Sequence, residues 1–361
     1  MKGKKFVVSK ILSYLHNLVF SPRPLIVLEA PTAFHLEHFK AILKSLSDRN
    51  DLDIFLVSPD TSKLPKYKNI KYFSCERSLP LYRKAALFIS TELNKIPHWF
   101  DCTTIYFGHG MGPKLDYAAD KGLIAYDYTF SPCVPYYDIQ TTILPQNKVI
   151  PVGLPILDNN SHKRDEIYSQ FNLDVSKPLL VYGPSWCKDI EKISDIPQII
   201  SYLENQKKLN VIISAHPLLF DKNRCSGKVV FEDKTFQGNI RLNSNNSGYS
   251  TLDLVKASDI VLSDISSILY EAMALDKKVI FDGNREIYQY CEAMEIYEQV
   301  IKVCKTPNWK NESDNTINDV IEFDELSNSR QEFIDSYLFN RGIASEAFVS
   351  NIYKILKAAQ K

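Results

Sequence analysis

Three polar residues in the second half of the chain have the types and spacing of a phosphate-binding loop. Asp264, Ser266 and Ser267 directly follow the apolar run 260–262, and a helical pattern continues over 268–275. A strand, a polar turn and a helix begin a parallel βαβ unit, which binds ligands at the carboxyl end of the strand. The first N–H groups of such a helix lack intrahelical acceptors, and its dipole favours an anion. These residues therefore predict a phosphate site, and Asp264 or Ser266 could also serve as a helix cap.

Two histidines follow other predicted strands. His109 lies in a glycine-rich segment, with Lys114 shortly after it. Imidazole titrates near neutral pH, so His109 could act as a general base, while Lys114 could meet a phosphate. His216 precedes Pro217, which holds it in an extended conformation, and its ring could steady a phosphate oxygen. The alternatives are an incidental histidine in a turn and a capping or buried histidine.

Two further positions could contact a ligand. Ser185 and Trp186 follow a Gly-Pro turn after the apolar run 179–182, where they could meet a phosphate and a ring, or simply form a tight loop with a packed tryptophan. His35 and His38 are spaced to share one helix face. They lack the H-E-x-x-H pattern and an evident third ligand, so a metal site is disfavoured. A structural role, or contact of His35 with a phosphate or an acceptor, is the better interpretation.

Apolar runs alternate with helical stretches almost throughout, which predicts α/β layers with parallel sheets. The predicted strands are 25–28, 54–57, 87–90, 104–107, 124–126 and 149–152, then 179–182, 211–214, 260–262 and 279–281. We expect two Rossmann-like domains that face a central cleft, as in GT-B transferases. The expected division is a first α/β domain over 1–160, a second α/β domain over 161–330, and a helical segment over 331–361 that crosses back to the first domain.

Composition narrows the functional classes. The 361 residues are 45% hydrophobic and 24% charged, as in soluble proteins of about two domains. Lys plus Arg (43) equals Asp plus Glu (43), which disfavours nucleic-acid binding. The seven scattered cysteines indicate reduced thiols in the cytoplasm. Residues 1–20 combine lysines with apolar residues, and predict either an amphipathic helix on the inner membrane surface or a helix packed on its own domain.

Taken in order, these segments resemble the CDP-glycerol glycerophosphotransferase family, whose members make teichoic-acid and capsule polymers. His109-Gly110 with Lys114 resembles the family's His-Gly motif. The other similar segments, spread over about 104–350, are 180–186 ("YAPTW"), 215–217 ("LHP"), 263–267 ("TDYSS"), 277–281 ("KPIIF"), 152–155 ("GxPR") and 340–346 ("DGxAS"). Ile265 replaces the tyrosine of "TDYSS", and Ile156 or Leu157 stands where "GxPR" has arginine. The first hundred residues match little.

The resemblance implies a GT-B fold and transfer of glycerol phosphate or ribitol phosphate from a CDP-alditol to a hydroxyl of a glycan or polyol-phosphate acceptor, with release of CMP. It makes 1–160 the acceptor-side domain, 161–330 the CDP-donor-binding domain, and His109 the base. The implied donor site comprises His216, Ser266 and Ser267 at the pyrophosphate, Asp264 orienting their loop, and Ser185 on the nucleotide side. Lys114 and His35 become contacts to a phosphate or the acceptor.

The implied site needs no cofactor and no resident metal, although Mg²⁺ could arrive with the donor. The expected location is the cytoplasm or the cytoplasmic face of the cell membrane. Two other functions fit the same residues. One is a GT-B glycosyltransferase that uses a nucleotide sugar for surface polysaccharide synthesis. The other is a non-catalytic member of an assembly that binds a glycan or a lipid-linked precursor.

Overall fold

The protein is described here by a computed structural model. The description covers residues 23–59, 61, 64, 66–73, 85–93, 101–108, 110–112, 115–158, 163–187, 193–221, 223, 231, 236, 238–244, 247–311 and 314–359. The helix predicted within residues 1–20, His109 and Lys114 lie outside these residues.

The chain forms two compact units. The first comprises Met1–Gly110, Asp116–Asn159 and Leu338–Lys361, and the second comprises Met111–Leu115 and Asn160–Tyr337. The α-helices of the described residues are α1 (Ala33–Ser47), α2 (Val134–Ile143), α3 (Arg164–Gln170), α4 (Ile196–Glu204), α5 (Thr251–Ala257), α6 (Ser267–Ala274), α7 (Arg285–Tyr290), α8 (Met294–Val303), α9 (Thr316–Glu322), α10 (Ser327–Tyr337) and α11 (Ala344–Ala359). No helix in the described ranges is both long and apolar enough to cross a membrane.

The first unit is built on a parallel sheet of seven strands in the order β3-β2-β1-β4-β5-β6-β7. Its strands are β1 (Leu25–Glu29), β2 (Asp53–Val57), β3 (Ile70–Phe73), β4 (Ala85–Ser90), β5 (Thr103–Tyr106), β6 (Tyr128–Ser131) and β7 (Val149–Pro151). All residues of β1 and β2 are buried, as expected when helices cover both faces of a parallel sheet.

The strand predicted at 124–126 is wrong. Lys121–Ala125 forms a 3₁₀ helix, which begins where the Asp120 carboxylate accepts a hydrogen bond from the Gly122 N–H, and Ile124 is exposed. The strand follows at Tyr128–Ser131 instead. β3 was missed because it is a short edge strand and mostly half-buried, so its apolar signal is weak.

The C-terminal helix α11 completes the core of the first unit. The Phe348 ring packs edge-on against Phe107 and Phe130, with centroids 4.9 Å and 5.2 Å away. The neighbouring apolar residues of α11 belong to the same cluster as Ile26 and Leu28 of β1 and the buried apolar side chains of α1. These contacts bring a segment from the far end of the sequence into the first unit.

The chain enters α11 through a close contact with the segment after β7. Gly153 has φ +90°, and a Cβ there would lie 2.1 Å from the carbonyl oxygen of Phe339. The Asp158 carboxylate accepts hydrogen bonds from the N–H groups of Ala344 (3.2 Å) and Ser345 (2.6 Å), and so caps the helix. The segments 152–155 and 340–346, which resemble family motifs, therefore hold each other in place.

The second unit contains a parallel sheet of five strands in the order β10-β9-β8-β11-β12. Its strands are β8 (Leu179–Gly183), β9 (Asn210–Ile213), β10 (Ile240–Leu242), β11 (Ile260–Ser263) and β12 (Lys278–Phe281). β8, β9 and β11 are wholly buried. The missed strand, β10, is again a short edge strand.

Candidate active site

The strand order of the second sheet reverses between β8 and β11, with β9 and β10 on one side and β12 on the other. Such a switch point is where open parallel sheets bind ligands. The Asp264 carboxylate joins the two loops that begin there. Its Oδ2 accepts from the N–H and the hydroxyl of Ser185, both at 2.8 Å, and its Oδ1 accepts from the Ser266 N–H at 3.0 Å. Ser185 and Asp264 are buried, so these bonds to a charged group fix both loops.

Helix α6 begins beside this carboxylate. Ser266 is its N-cap residue, and the Ser266 hydroxyl accepts from the Ile268 N–H. Ser267 is the first helical residue, and none of the described residues accepts a hydrogen bond from its N–H. A Cβ on Gly112, which belongs to the same unit, would lie 3.5 Å from the Ser267 nitrogen, so the absence of a side chain keeps space open there. This helix start combines a dipole, an N–H group and serine hydroxyls, the features of an anion site.

Glu271 lies one turn along α6 from Ser267. Part of the Glu271 residue reaches the surface, but its carboxyl group is surrounded by protein. Burial raises the pKa of this carboxyl, and the nearby Ser267 hydroxyl opposes that rise. The sequence analysis did not single out this neighbour of Ser267.

His216 lies after the adjacent strand β9 and is exposed. Its Nδ1 accepts a hydrogen bond from the Leu218 N–H at 3.2 Å and so caps the 3₁₀ helix Pro217–Phe220. Because an accepting nitrogen carries no proton, the neutral ring is protonated on Nε2. Its ring also stacks on Trp186, with centroids 6.4 Å apart and planes inclined by 25°. His216 is therefore a capping residue, and the proton of its neutral ring lies on Nε2.

A second buried carboxyl adjoins Asp264. Asp282 directly follows β12, whose last residue, Phe281, pairs with Ser263 of β11. The Oδ1 atom of Asp282 accepts a hydrogen bond from the Asn284 N–H at 2.9 Å. Burial, together with the negative charge of Asp264, raises the pKa of Asp282 well above its usual range. The hydrogen bonds that Asp264 accepts from Ser185 and Ser266 favour its charged form, so the rise in pKa falls on Asp282.

Lys277, in the segment similar to "KPIIF", has a structural position. Its ammonium donates to the carbonyls of Lys256 (2.7 Å) and Ser258 (2.8 Å), at the end of α5. Arg164 donates to Ala257 and pairs with Asp259 at the same helix end. Cations at a helix C-terminus satisfy the last carbonyls and complement its dipole. These cations stabilise α5 and do not reach the loops at the switch point.

The carboxyl edge of the first sheet carries a separate polar group. His35, in α1, is buried, with Nδ1 3.0 Å from Thr32 Oγ1 and Nε2 3.1 Å from Glu92 Oε2. The Ser90 hydroxyl, at the end of β4, donates to Oε2 of the buried Glu29 at 3.1 Å. The side chain of Glu92 is 37% exposed and that of His35 is 8% exposed. Glu92 is therefore better placed than His35 for direct contact with a ligand.

The structure brings together four of the residues singled out from the sequence, namely Ser185, Asp264, Ser266 and Ser267. His216 is linked to them through Trp186, the neighbour of Ser185. No group of three or more His, Cys, Asp or Glu side chains within the described ranges could hold a metal ion.

Two α/β units, each built on a parallel sheet, define a protein of the GT-B fold class, and the second unit carries anion-binding features at its switch point. The family model for CDP-Glycerol:Poly(glycerophosphate) glycerophosphotransferase matches residues 23–353. The chain belongs to this family of enzymes, which transfer glycerol phosphate from CDP-glycerol in cell-wall polymer synthesis.

Solved structures show the same fold at low sequence identity. The wall teichoic acid polymerase TagF is 17% identical, with a TM-score of 0.63 and coverage of 98% of both chains. A TagF variant soaked with CDPG is 15% identical, with a TM-score of 0.59 and full coverage of both chains. UDP-GlcNAc 2-epimerase from Neisseria meningitidis is 14% identical, with a TM-score of 0.58 and coverage of 92% of this chain and 100% of the other. No curated protein sequence matches significantly.

Proposed function

We propose that this chain transfers glycerol phosphate from CDP-glycerol to a hydroxyl of a glycan or polyol-phosphate acceptor and releases CMP. The observation that carries the proposal is the Asp264 carboxylate, which binds Ser185 and Ser266 and so fixes the start of α6. Hydrogen-bond donors that are already held in place before the reaction need not reorganise when negative charge develops on a phosphate. The family match and the TagF structure soaked with CDPG support CDP-glycerol as the ligand.

In the proposed reaction, the acceptor oxygen attacks the phosphorus that bears glycerol. The bond from this phosphorus to the bridging oxygen breaks, CMP leaves with that oxygen, and the acceptor proton passes to a base. The Ser267 N–H and the Ser266 and Ser267 side chains would bind the pyrophosphate, and Ser185 would lie on the nucleotide side. The Nε2–H of His216 would donate to the oxygen on which negative charge grows as CMP leaves. This role suits the tautomer that its cap selects.

The base assigned from the sequence is His109, with Lys114 as a phosphate contact. A well-placed base contributes roughly 10²–10⁴-fold to the rate. His109→Ala should therefore reduce turnover by about that factor while leaving the melting temperature nearly unchanged. Near-normal turnover in this variant would remove His109 from the mechanism.

The decisive experiment is a donor screen with the full-length protein. CDP-glycerol, CDP-ribitol and a panel of nucleotide sugars are offered with a glycerol phosphate oligomer, and release of CMP, UMP, UDP or GDP is measured. CMP release with growth of the oligomer supports the proposal, and the ratio for the two CDP-alditols sets the donor specificity. Release of a nucleoside diphosphate from a sugar donor would favour a glycosyltransferase. Glycan binding without turnover of any donor would favour the non-catalytic function.

We also propose that the phosphates are bound without a cofactor or resident metal, and that the enzyme works at the cytoplasmic face of the membrane. The support for the first proposal is that hydroxyl and N–H groups line the start of α6. The second is supported by the reduced cysteines among the described residues (Cys102, Cys133, Cys187, Cys291 and Cys304) and by the lysines of residues 1–20. Loss of CMP release in EDTA, restored by Mg²⁺, would overturn the first. Failure of the protein to bind anionic vesicles would overturn the second.

A further inference from the structure

The polar group at the carboxyl edge of the first sheet has no part in the proposed donor site. Strand order in this sheet reverses between β1 and β4, since β2 and β3 lie on one side and β5, β6 and β7 on the other. By the same rule that applies to the second sheet, this is a place where ligands bind. Glu29 ends β1 and Ser90 ends β4. His35 and Glu92 lie in the segments that follow these strands.

Glu92 is held by contacts to both its backbone and its side chain. Its N–H donates to the Ser90 hydroxyl oxygen at 3.2 Å, and its carbonyl accepts from the Tyr126 hydroxyl at 2.9 Å. Its carboxylate lies 3.1 Å from His35 Nε2. A side chain fixed this closely yet 37% exposed presents a preorganised hydrogen-bond acceptor at the switch point.

His35 sets the direction of that carboxylate. Thr32, the N-cap residue of α1, accepts from the His35 N–H through its hydroxyl oxygen at 3.3 Å. The Thr32 hydroxyl hydrogen can then point to His35 Nδ1, 3.0 Å away, which leaves the ring proton on Nε2 and directed at Glu92. The chain of contacts runs from the helix cap through the imidazole to the carboxylate.

We propose that Glu92 binds hydroxyl groups of the acceptor, a polyol or polyol-phosphate chain, and that His35 is the positioning residue for Glu92. Carboxylate oxygens accept hydrogen bonds from hydroxyl groups, and the nearby Glu29 carboxyl makes this edge a poor site for a phosphate. Glu92 therefore selects the hydroxyl-bearing part of the acceptor. The inference rests on the proposed function, because it assigns the acceptor side of the same reaction.

The test measures binding of a synthetic glycerol phosphate oligomer to the full-length protein by calorimetry, together with the KM values of oligomer and CDP-glycerol. Glu92→Gln should weaken oligomer binding and raise its KM by roughly tenfold, because a neutral amide oxygen accepts a weaker hydrogen bond than a carboxylate and the amide nitrogen accepts none. Its KM for CDP-glycerol and its melting temperature should stay close to the wild-type values. Glu37→Gln is the matched control, because Glu37 also lies on α1 and its ion pair among the described residues is with the surface Lys40.

His35 is tested through its effect on Glu92. His35→Ala should weaken oligomer binding as Glu92→Gln does, and combining the two should add little. His35→Gln, which can place an amide N–H where Nε2 was, should restore much of the binding. Unchanged oligomer binding in Glu92→Gln, or no binding of the oligomer to a wild-type protein that binds CDP-glycerol, would overturn the inference. Failure of the wild-type protein to bind CDP-glycerol would instead overturn the proposed function.

Discussion

Ser185 donates two hydrogen bonds to the same oxygen of Asp264, one from its N–H and one from its hydroxyl, both 2.8 Å long. The two residues are 79 positions apart in the sequence, yet they follow neighbouring strands, β8 and β11, at the switch point of their sheet. The other oxygen of Asp264 holds the Ser266 N–H. One buried carboxylate thus determines the shape of two loops. Its effect on the binding of CDP-glycerol can be separated by experiment from its effect on folding stability.

Asp264→Asn should weaken both folding and donor binding. The amide nitrogen cannot accept a hydrogen bond, so at least one N–H or hydroxyl now bound to the carboxylate loses its partner. We expect the free energy of unfolding to fall by about 2 kcal/mol and the KM for CDP-glycerol to rise by about tenfold or more. Chemical denaturation and CMP-release kinetics measure the two effects.

Asp253→Asn is the matched control. Asp253 Oδ2 accepts from the N–H and the hydroxyl of Ser250 at 2.9 Å and 2.7 Å in the capping box of α5, so it repeats the chemistry of Asp264 at another helix. It should cost about 1 kcal/mol of stability and leave the KM for CDP-glycerol unchanged. Equal KM changes in the two variants would show that Asp264 acts through general stability alone.

Two substitutions of His216 should separate the capping role of its Nδ1 from the hydrogen-bond donation proposed for its Nε2–H. In His216→Asn the amide oxygen can replace Nδ1 as acceptor for the Leu218 N–H, so stability is kept, but nothing replaces the Nε2–H. We expect a melting temperature within about 2 °C of wild type and a fall of roughly 10–100-fold in kcat/KM. His216→Gln can place an N–H near the Nε2 position and should retain more activity at lower stability. The reverse order of activities would contradict the proposed role.

Asp282→Asn should stabilise the protein, and more so as the pH rises. Burial and Asp264 raise the pKa of Asp282 in the folded state, so the folded protein retains a proton that the unfolded chain loses above about pH 4. The stability that this retained proton contributes is fully present below the pKa of Asp282 in the unfolded chain. It is lost as the pH rises through the pKa of Asp282 in the folded protein, at up to about 1.4 kcal/mol per pH unit. Asp282→Asn has no titrating carboxyl at this position, so its stability does not fall with pH for this reason.

Melting temperatures of wild type and Asp282→Asn, compared between pH 4 and pH 8, measure the effect. The difference should be close to zero at pH 4 and reach about 2–4 °C or more at pH 8. A difference that is constant across this range would mean that Asp282 does not retain its proton in the folded state.

Gly153→Ala should severely destabilise the first unit. The added methyl would meet the Phe339 carbonyl oxygen at 2.1 Å, and φ at this position is +90°. We expect a loss of about 3 kcal/mol or more in the free energy of unfolding. Gly342→Ala is the control, because φ is +80° there but nothing lies within 4 Å of the added Cβ, so only the cost of about 1 kcal/mol for the backbone conformation remains. Similar losses in the two variants would refute the proposed contact.

The sequence sufficed for the fold class and the family, and both are confirmed. Central strands of parallel sheets appear as continuous apolar runs, which is why β8 and β11 and the polar loops after them could be located. In the short edge strands β3 and β10, which are mostly half-buried, Lys71 and Arg241 interrupt the apolar run, so this signal is weak. The strand at 124–126 was predicted wrongly because Ile124 is apolar but exposed, and a pattern of residue types cannot show which side chains face solvent.

The contacts that define the site could not be predicted in the same way. Residues such as Glu92 and Asp282 occur in segments without a recognisable motif, and their roles arise from partners distant in sequence. The pairing of Glu92 with His35 depends on the adjacency of β1 and β4, which only the strand order provides. For Asp282, the one available signal was its position directly after a predicted strand, the same signal that identified Asp264.

The packing of α11 into the first core constrains the order in which a nascent chain can fold. Phe348, Ile352 and Leu356 fill the layer that covers β1, although more than three hundred residues separate them from it in the sequence. During translation the second unit, which closes at Tyr337, can fold while the first still exposes an uncovered apolar surface. Until residues 344–356 have left the ribosome, that surface is open to chaperones, and stalled or truncated products should be targets for proteolysis.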